Sequence, residues 1–348
     1  MKTDQQPLVT TARQLMAGKK GILAMDESTA TCNKRFKAQG IPETEEYRRK
    51  YRELLVTTHG LEEYINGAIL FDETIKQSTV AGDLFIDILV KKGIIPGIKV
   101  DAGTVSMAGF MGEKVTEGLD GLRERLAAYK KLGARFAKWR AVFSIGTNTP
   151  TVTCIKTNAN VLAQYAALCQ ETGLVPFVEP EVLMDGGHSI EKCAEVTNQV
   201  LQAVFNALHR HRVNLEGIIL KPNMVLPGID HPIQNNNDEI ARATIACLLN
   251  CVPASVPGIA FLSGGQPTLL ATERLNAMHR LFNASLPWAL TFSFSRALQQ
   301  PALEIWKGND ANINAAQQSL LHRAACNHAA CMGSYTPEME KVIPNLIY

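Results

Sequence analysis

The chain has 348 residues, 46% hydrophobic and 20% charged, with a formal net charge of +2. That is ordinary globular usage with room for a sizeable core, and it leaves no overall field to recruit nucleic acid or an anionic membrane. No apolar run approaches the roughly 18 residues of a membrane span, and the start, Met1 to Pro7, has neither a secretory apolar region nor a transit-like Arg/Ser character. A cytoplasmic protein is expected.

Along the chain, short apolar runs alternate with longer amphipathic stretches. Strands are predicted over 21–25, 65–71, 94–100, 134–139, 174–178, 217–220, 258–262 and 288–292. Between them, apolar residues recur at helical spacing. Leu119, Leu122 and Leu126 form one stripe. Val161, Leu162, Tyr165 and Leu168 form a second, and Val196, Val200, Val204 and Leu208 a third. Ile240, Ala243, Ile245 and Leu248 mark a further helix, with Asn237 or Asp238 expected to cap it. Short strands alternating with helices imply parallel pairing through right-handed crossovers, and eight such units favour a closed (β/α)8 TIM barrel. An open doubly wound sheet is the rival. The first strand, however, ends Leu23-Ala24-Met25-Asp26-Glu27-Ser28, without the Gly-rich phosphate fingerprint of that fold. A single barrel domain over 1–332 with an N-terminal helical extension is expected, followed by a C-terminal tail over 333–348.

The ends of the predicted strands carry the chemistry. They present Asp26, then Lys99 and Asp101, Lys138 and Arg140, Glu179 and Glu181, Lys221, Ser263-Gly264-Gly265, and finally Ser293, Ser295 and Arg296. A two-residue step keeps side chains on one face of a strand, so these pairs can share the lumen. Barrel enzymes place their chemistry at the mouth where C-terminal strand ends gather. Lys221 closes the apolar run Gly217-Ile218-Ile219-Leu220. Burial disfavours an ammonium group and lowers its pKa, the route to an amine able to attack a carbonyl. Taken alone, each residue also fits a surface charge or a loop. Seven of eight strand ends bearing ionisable or phosphate-compatible groups does not.

Neighbouring carboxylates suit the proton transfers of imine chemistry. Ser263-Gly264-Gly265 before a helical stretch over 267–282 offers backbone N–H groups to a phosphate, and Arg296 adds a bidentate cation. Ser28, Lys34, Arg35, Lys99 and Arg140 could hold a second anion, so the substrate class is one with a phosphate at each end. No metal site and no cofactor are expected. The eight cysteines form no Cys-x-x-Cys pair, Cys247 and Cys251 lack partners, and no histidine cluster falls at a strand end.

The runs 21–28, 96–101, 135–140, 178–181, 220–224, 261–266 and 296–299 together resemble class I fructose-bisphosphate aldolase, from about residue 10 to the C-terminus. Details at 24–28 and 30–32 are similar to the plastid-type branch, and a cytosolic bacterial member is the form expected here. The resemblance implies reversible cleavage of fructose 1,6-bisphosphate into dihydroxyacetone phosphate and glyceraldehyde 3-phosphate. Lys221 would form the Schiff base and Glu179 act as principal acid/base. Asp26 would sit at the C4 hydroxyl, Lys138 would assist imine formation, and Glu181 and Lys99 would complete the network. Ser263, Gly264 and Arg296 would hold the ketone-side phosphate, and Ser28, Lys34, Arg35 and Lys99 the other; Gly265, Ser295 and Arg140 are expected beside them from their places at the strand ends. The terminal Tyr348 would assist proton transfer on the enamine, the tail reaching towards the site. A homotetramer, roles in glycolysis, gluconeogenesis and the Calvin cycle, and sedoheptulose 1,7-bisphosphate as a second substrate are implied too. Two departures stand out. Phe294-Ser295 replaces the family's usual Tyr-Gly, and Ala102-Gly103 replaces a common Lys-Gly. A sugar-phosphate-binding barrel without catalysis, and a transaldolase-like enzyme, are the competing readings.

Overall fold

The computed structural model describes residues 6–282 and 286–341. Its strands are β1 (Gly21–Ala24), β2 (Ile65–Leu70), β3 (Ile95–Lys99), β4 (Gly103–Ser106), β5 (Lys114–Glu117), β6 (Phe136–Phe143), β7 (Val175–Val182), β8 (Ile219–Leu220), β9 (Gly258–Phe261) and β10 (Ala289–Phe294). Eight of them close a parallel barrel in the order β1-β10-β9-β8-β7-β6-β3-β2, and β4 and β5 form a separate antiparallel hairpin. The protein is a (β/α)8 barrel, as the alternation of elements requires.

Twelve helices accompany the strands among the described residues. They are α1 (Gln6–Leu15), α2 (Thr29–Ala38), α3 (Glu45–Thr57), α4 (Asp72–Ile75), α5 (Phe85–Lys91), α6 (Leu122–Lys131), α7 (Val152–Thr172), α8 (Ile190–Arg210), α9 (Asn237–Cys251), α10 (Thr268–Phe282), α11 (Arg296–Trp306) and α12 (Ile313–Cys331). Short polar side chains start most of the long ones: Ser28, Thr44, Thr151 and Ser189 each accept a hydrogen bond from a backbone N–H of the first turn. The cap of α9 is Asn236, one residue before the expected position. There it forms a reciprocal capping box with Glu239, which the sequence offers to neither Asn237 nor Asp238 at the same spacing.

The lumen is filled from below. Ile22, Ala24, Ile69, Phe136, Val175, Phe177, Ile219 and Ala260 point inward and pack with Leu8, Ala12 and Leu15 of α1 and with Met16. The N-terminal helix thus plugs the mouth opposite the strand C-termini, and Arg135 donates to its Thr11 hydroxyl at 2.8 Å. Two strand glycines make room for large rings. A Cβ at Gly21 would lie 2.1 Å from the Phe292 ring, and one at Gly97 would lie 2.3 Å from Phe136. With the bottom sealed by apolar packing, only the upper lumen is free for polar side chains.

Two strands run further than their apolar pattern. β6 and β7 pair in register from Phe136↔Val175 to Phe143↔Val182. Lys138, Arg140, Glu179 and Glu181 therefore lie within strands, not after them. Ladder hydrogen bonding is indifferent to side-chain polarity, and a buried charge is tolerated when its neighbours compensate it. The β4–β5 hairpin, absent from the predicted elements, docks on β6 through the Thr116 hydroxyl, which donates to the Arg140 carbonyl at 2.7 Å. After α12 the chain turns back, and Tyr335 is buried, with its N–H donating to Asn276 at 3.1 Å.

Candidate active site

A cavity of about 570 Å3 opens at the strand C-termini. Lys221 stands at its floor, immediately after the two-residue β8, and its N–H continues the ladder to the Val178 carbonyl at 2.8 Å. The side chain is nearly fully buried at 4% exposure. Its Nζ lies 3.2 Å from Glu179 Oε1, while Lys138 Nζ lies 2.8 Å from Glu179 Oε2 and 3.0 Å from Asp26 Oδ2. Two ammonium groups thus share one carboxylate, and a second carboxylate flanks them. The Lys138–Glu179 contact is an ion pair poorly aligned for a hydrogen bond, since Oε2 has no hydrogen-bond partner among the described residues. That leaves Oε2 a lone pair to take or return a proton.

Burial and charge pull these groups in different directions. Burial is the largest influence on Lys221 and lowers its pKa below that of an ordinary lysine, against the attraction of Asp26 and Glu181. Lys138 is lowered to about 8, again chiefly by burial. Burial pushes Asp26 up, but the attraction of Lys138 and Lys221 outweighs it and holds the carboxyl at about 2. The mouth therefore keeps a permanently ionised carboxylate beside two amines that lose protons more readily than usual. Those are the states required for amine attack and proton transfer near neutral pH.

Around this centre lie two anion-compatible ends. On one side Ser263, Gly264, Ser295 and Arg296 line the cavity. Gly264 and Gly265 both have positive φ, 59° and 89°, so the chain turns there without a side chain in the way. Gly265 itself sits behind the wall: a Cβ on it would approach Arg296 Nη2 to 3.2 Å. On the other side Ser28 and Thr31, at the start of α2, line the cavity together with Lys99 and Arg140. Lys99 Nζ contacts Asp101 Oδ1 at 2.6 Å and Arg140 Nε contacts Glu181 Oε2 at 2.5 Å, so both cations are oriented by carboxylates.

The structure does not bring every predicted site residue to the cavity. Lys34 is exposed on α2 and does not line it. Arg35 faces the other way, ion-paired to Glu27 and donating to Gln300 at 3.2 Å. The physical reason is a competing carboxylate. Glu27, which follows β1 and itself lines the cavity, takes up the charge of Arg35 and of Arg52, whose Nη1 lies 2.8 Å away. Tyr348 lies outside the described residues. Conversely, Thr31, Asp72, Gly103, Thr104, Arg125 and Tyr129 line the cavity without having been singled out. Thr31 comes from α2; the others come from the hairpin and from α4 and α6, whose position over the mouth no local pattern encodes. Glu27 and Thr31, which also line the cavity, had one signal: they lie one residue before and three after Ser28, just past a strand end.

Such a mouth defines a barrel enzyme equipped for amine chemistry and proton transfer on an anionic substrate. Comparison with known proteins narrows this. Residues 7–345 match the family described as fructose-bisphosphate aldolase class-I. A probable fructose-bisphosphate aldolase class 1 of Xanthomonas campestris is 55% identical over 331 residues, covering 95% of this chain and 98% of that protein. The cytosolic fructose-bisphosphate aldolase 4 of Arabidopsis thaliana is 51% identical, covering 94% of this chain and 83% of that one. Among solved structures, the aldolase of Plasmodium falciparum, crystallised with TRAP and a small-molecule inhibitor, superposes with a TM-score of 0.93 at 47% identity and 95% coverage of both chains. The chain belongs to the class I fructose-bisphosphate aldolase family. It is a carbon–carbon lyase of the metal-independent class.

Proposed function

We propose that this aldolase cleaves fructose 1,6-bisphosphate, reversibly, through an imine on Lys221. The observation that carries the proposal is the placement of Glu179 between Lys221 and Lys138, at 3.2 and 2.8 Å, in a buried mouth. Neutral Lys221 attacks the C2 ketone, and the carbinolamine loses water with Glu179 supplying the proton. The protonated imine then draws electrons. Asp26 takes the C4 hydroxyl proton, the C3–C4 bond breaks, and its electron pair flows into the nitrogen to give an enamine. Glyceraldehyde 3-phosphate leaves. The enamine is protonated at C3, a step in which Tyr348 takes part, and water releases dihydroxyacetone phosphate. Lys138 keeps Asp26 ionised at rest, and Glu181 orients Arg140.

Ser263, Gly264 and Arg296, braced by Gly265 and Ser295, hold the ketone-side phosphate. Ser28, Lys99 and Arg140 hold the other, with Thr31 in the place first given to Lys34 and Arg35. We extend the proposal to sedoheptulose 1,7-bisphosphate as a second substrate, which would add a Calvin-cycle role to glycolysis and gluconeogenesis. A cytoplasmic homotetramer with residues 333–348 as a distinct tail completes the reading. The relatives named above are bacterial and cytosolic by name, and they lend no support to a plastid-type branch.

Borohydride reduction in the presence of dihydroxyacetone phosphate should inactivate the enzyme and place the label on Lys221. Full activity after reduction, or label on Lys99 or Lys138 instead, refutes the assignment. Cleavage should persist in a strong chelator. Turnover measured side by side on the two bisphosphates decides the substrate range.

A further inference from the structure

His322 and Cys326 lie one helical turn apart on α12, on the face covered by the returning chain, and Glu340 comes to them from the segment after the helix. His322 Nε2 is 3.5 Å from Glu340 Oε2 and 3.6 Å from Cys326 Sγ, and the three ligand atoms all lie within 4.8 Å of one another. None of the three lines the catalytic cavity.

The bland account is an ion-pair network in which Glu340 serves Arg323. The contacts argue for more. Arg323 Nη1 and the Tyr335 hydroxyl, the latter at 2.9 Å, both fall on Glu340 Oε1. Oε2 is left facing His322 at 3.5 Å, too far for a hydrogen bond. Sulfur, imidazole nitrogen and carboxylate oxygen thus converge on one point. With metal–sulfur bonds of about 2.3 Å and metal–nitrogen or –oxygen bonds of about 2.0–2.1 Å, donors around a tetrahedral ion sit roughly 3.3–3.6 Å apart. The two spacings here fall close to that range. Arg323 and Tyr335 occupy the role of outer partners that orient a ligating carboxylate.

We propose that His322, Cys326 and Glu340 form a site for a divalent transition cation of the zinc class, which pins the segment after α12 to the barrel. The mixed S/N/O donor set disfavours magnesium and calcium and suits zinc, with a fourth position open on the half-exposed side for water. Binding displaces the Cys326 thiol proton to solvent and forms the metal–sulfur bond, with no change of oxidation state. The ion is structural and remote from Lys221, so it does not alter the metal-independent chemistry. It was not visible in the sequence, because the carboxylate arrives only when the chain folds back over α12.

The full-length protein, stripped with chelator, is titrated with Co2+ as a spectroscopic substitute for Zn2+. One equivalent should give a near-ultraviolet thiolate-to-cobalt band. Cys326→Ser should abolish that band, and His322→Ala or Glu340→Gln should weaken zinc binding at least tenfold, a loss of about 1.4 kcal/mol or more. All three should retain parental cleavage of the bisphosphate. Amide exchange at Glu338–Lys341 should slow several-fold when zinc is added to the parent and remain unchanged in Cys326→Ser. Absence of the band at tenfold excess cobalt, a band that survives Cys326→Ser, or exchange indifferent to zinc overturns the proposal.

Discussion

Replacing Asp26 with asparagine should separate imine formation from carbon–carbon cleavage. Asp26 is held at about 2 against an ordinary 3.8, although burial works in the opposite direction. The difference, 3.8 − 2, corresponds to roughly 2 kcal/mol in favour of the carboxylate. Because burial opposes it, the attraction exerted by Lys138 at 3.0 Å and by Lys221 exceeds that figure. The same attraction acts in reverse, keeping protons on the two amines. Its removal should therefore lower both lysines further. Neutral Lys221 becomes more abundant, so borohydride trapping with dihydroxyacetone phosphate should survive, its acid limb moved to lower pH. Cleavage loses the base at the C4 hydroxyl and should fall about 10²–10⁴-fold. The two measurements are a pH series of trapping rates and a coupled cleavage assay. Cleavage within tenfold of the parent, or an acid limb moved upward, refutes the reasoning.

Further outcomes follow from other contacts. Ser295→Ala removes the 2.9 Å hydrogen bond to Glu27 that steadies the start of α11 beside Arg296. KM for the bisphosphate should rise roughly 2–10-fold, the equivalent of one hydrogen bond, with kcat within about twofold. Gly21→Ala forces a methyl to within 2.1 Å of the Phe292 ring and should cost about 1–3 kcal/mol in urea denaturation, with little change in kcat of the folded fraction. On acidification, the depressed Asp26 contributes stability that is present above its ordinary 3.8 and is lost as pH falls through about 2. Urea midpoints between pH 5 and 2 should therefore drop less steeply in Asp26→Asn than in the parent.

Lys221, Lys138, Glu179 and Asp26 were legible because each ends or extends an apolar strand, where the two-residue pleat dictates the lumen face. Lys99 and Arg140 followed by the same rule, and their carboxylate partners Asp101 and Glu181 lie on the alternating positions as well. Arg35 and Lys34 were not legible. Helical position alone could not tell that Arg35 would spend its charge on Glu27, a residue also claimed by Arg52 and Ser295 from distant parts of the chain.

The sequence by itself determined the alternation of strand and helix, the closed barrel, and which ionisable residues gather at its mouth. Those depend on hydrophobic periodicity and on residue type at strand ends, and both are local. Only the tertiary structure decided which cations line the cavity, how α1 plugs the floor, how the β4–β5 hairpin walls the cavity, and where Glu340 meets His322 and Cys326. Each of these depends on pairing across long stretches of chain. Charge compensation and ring packing between such segments are settled by distance in space, which the order of residues does not record.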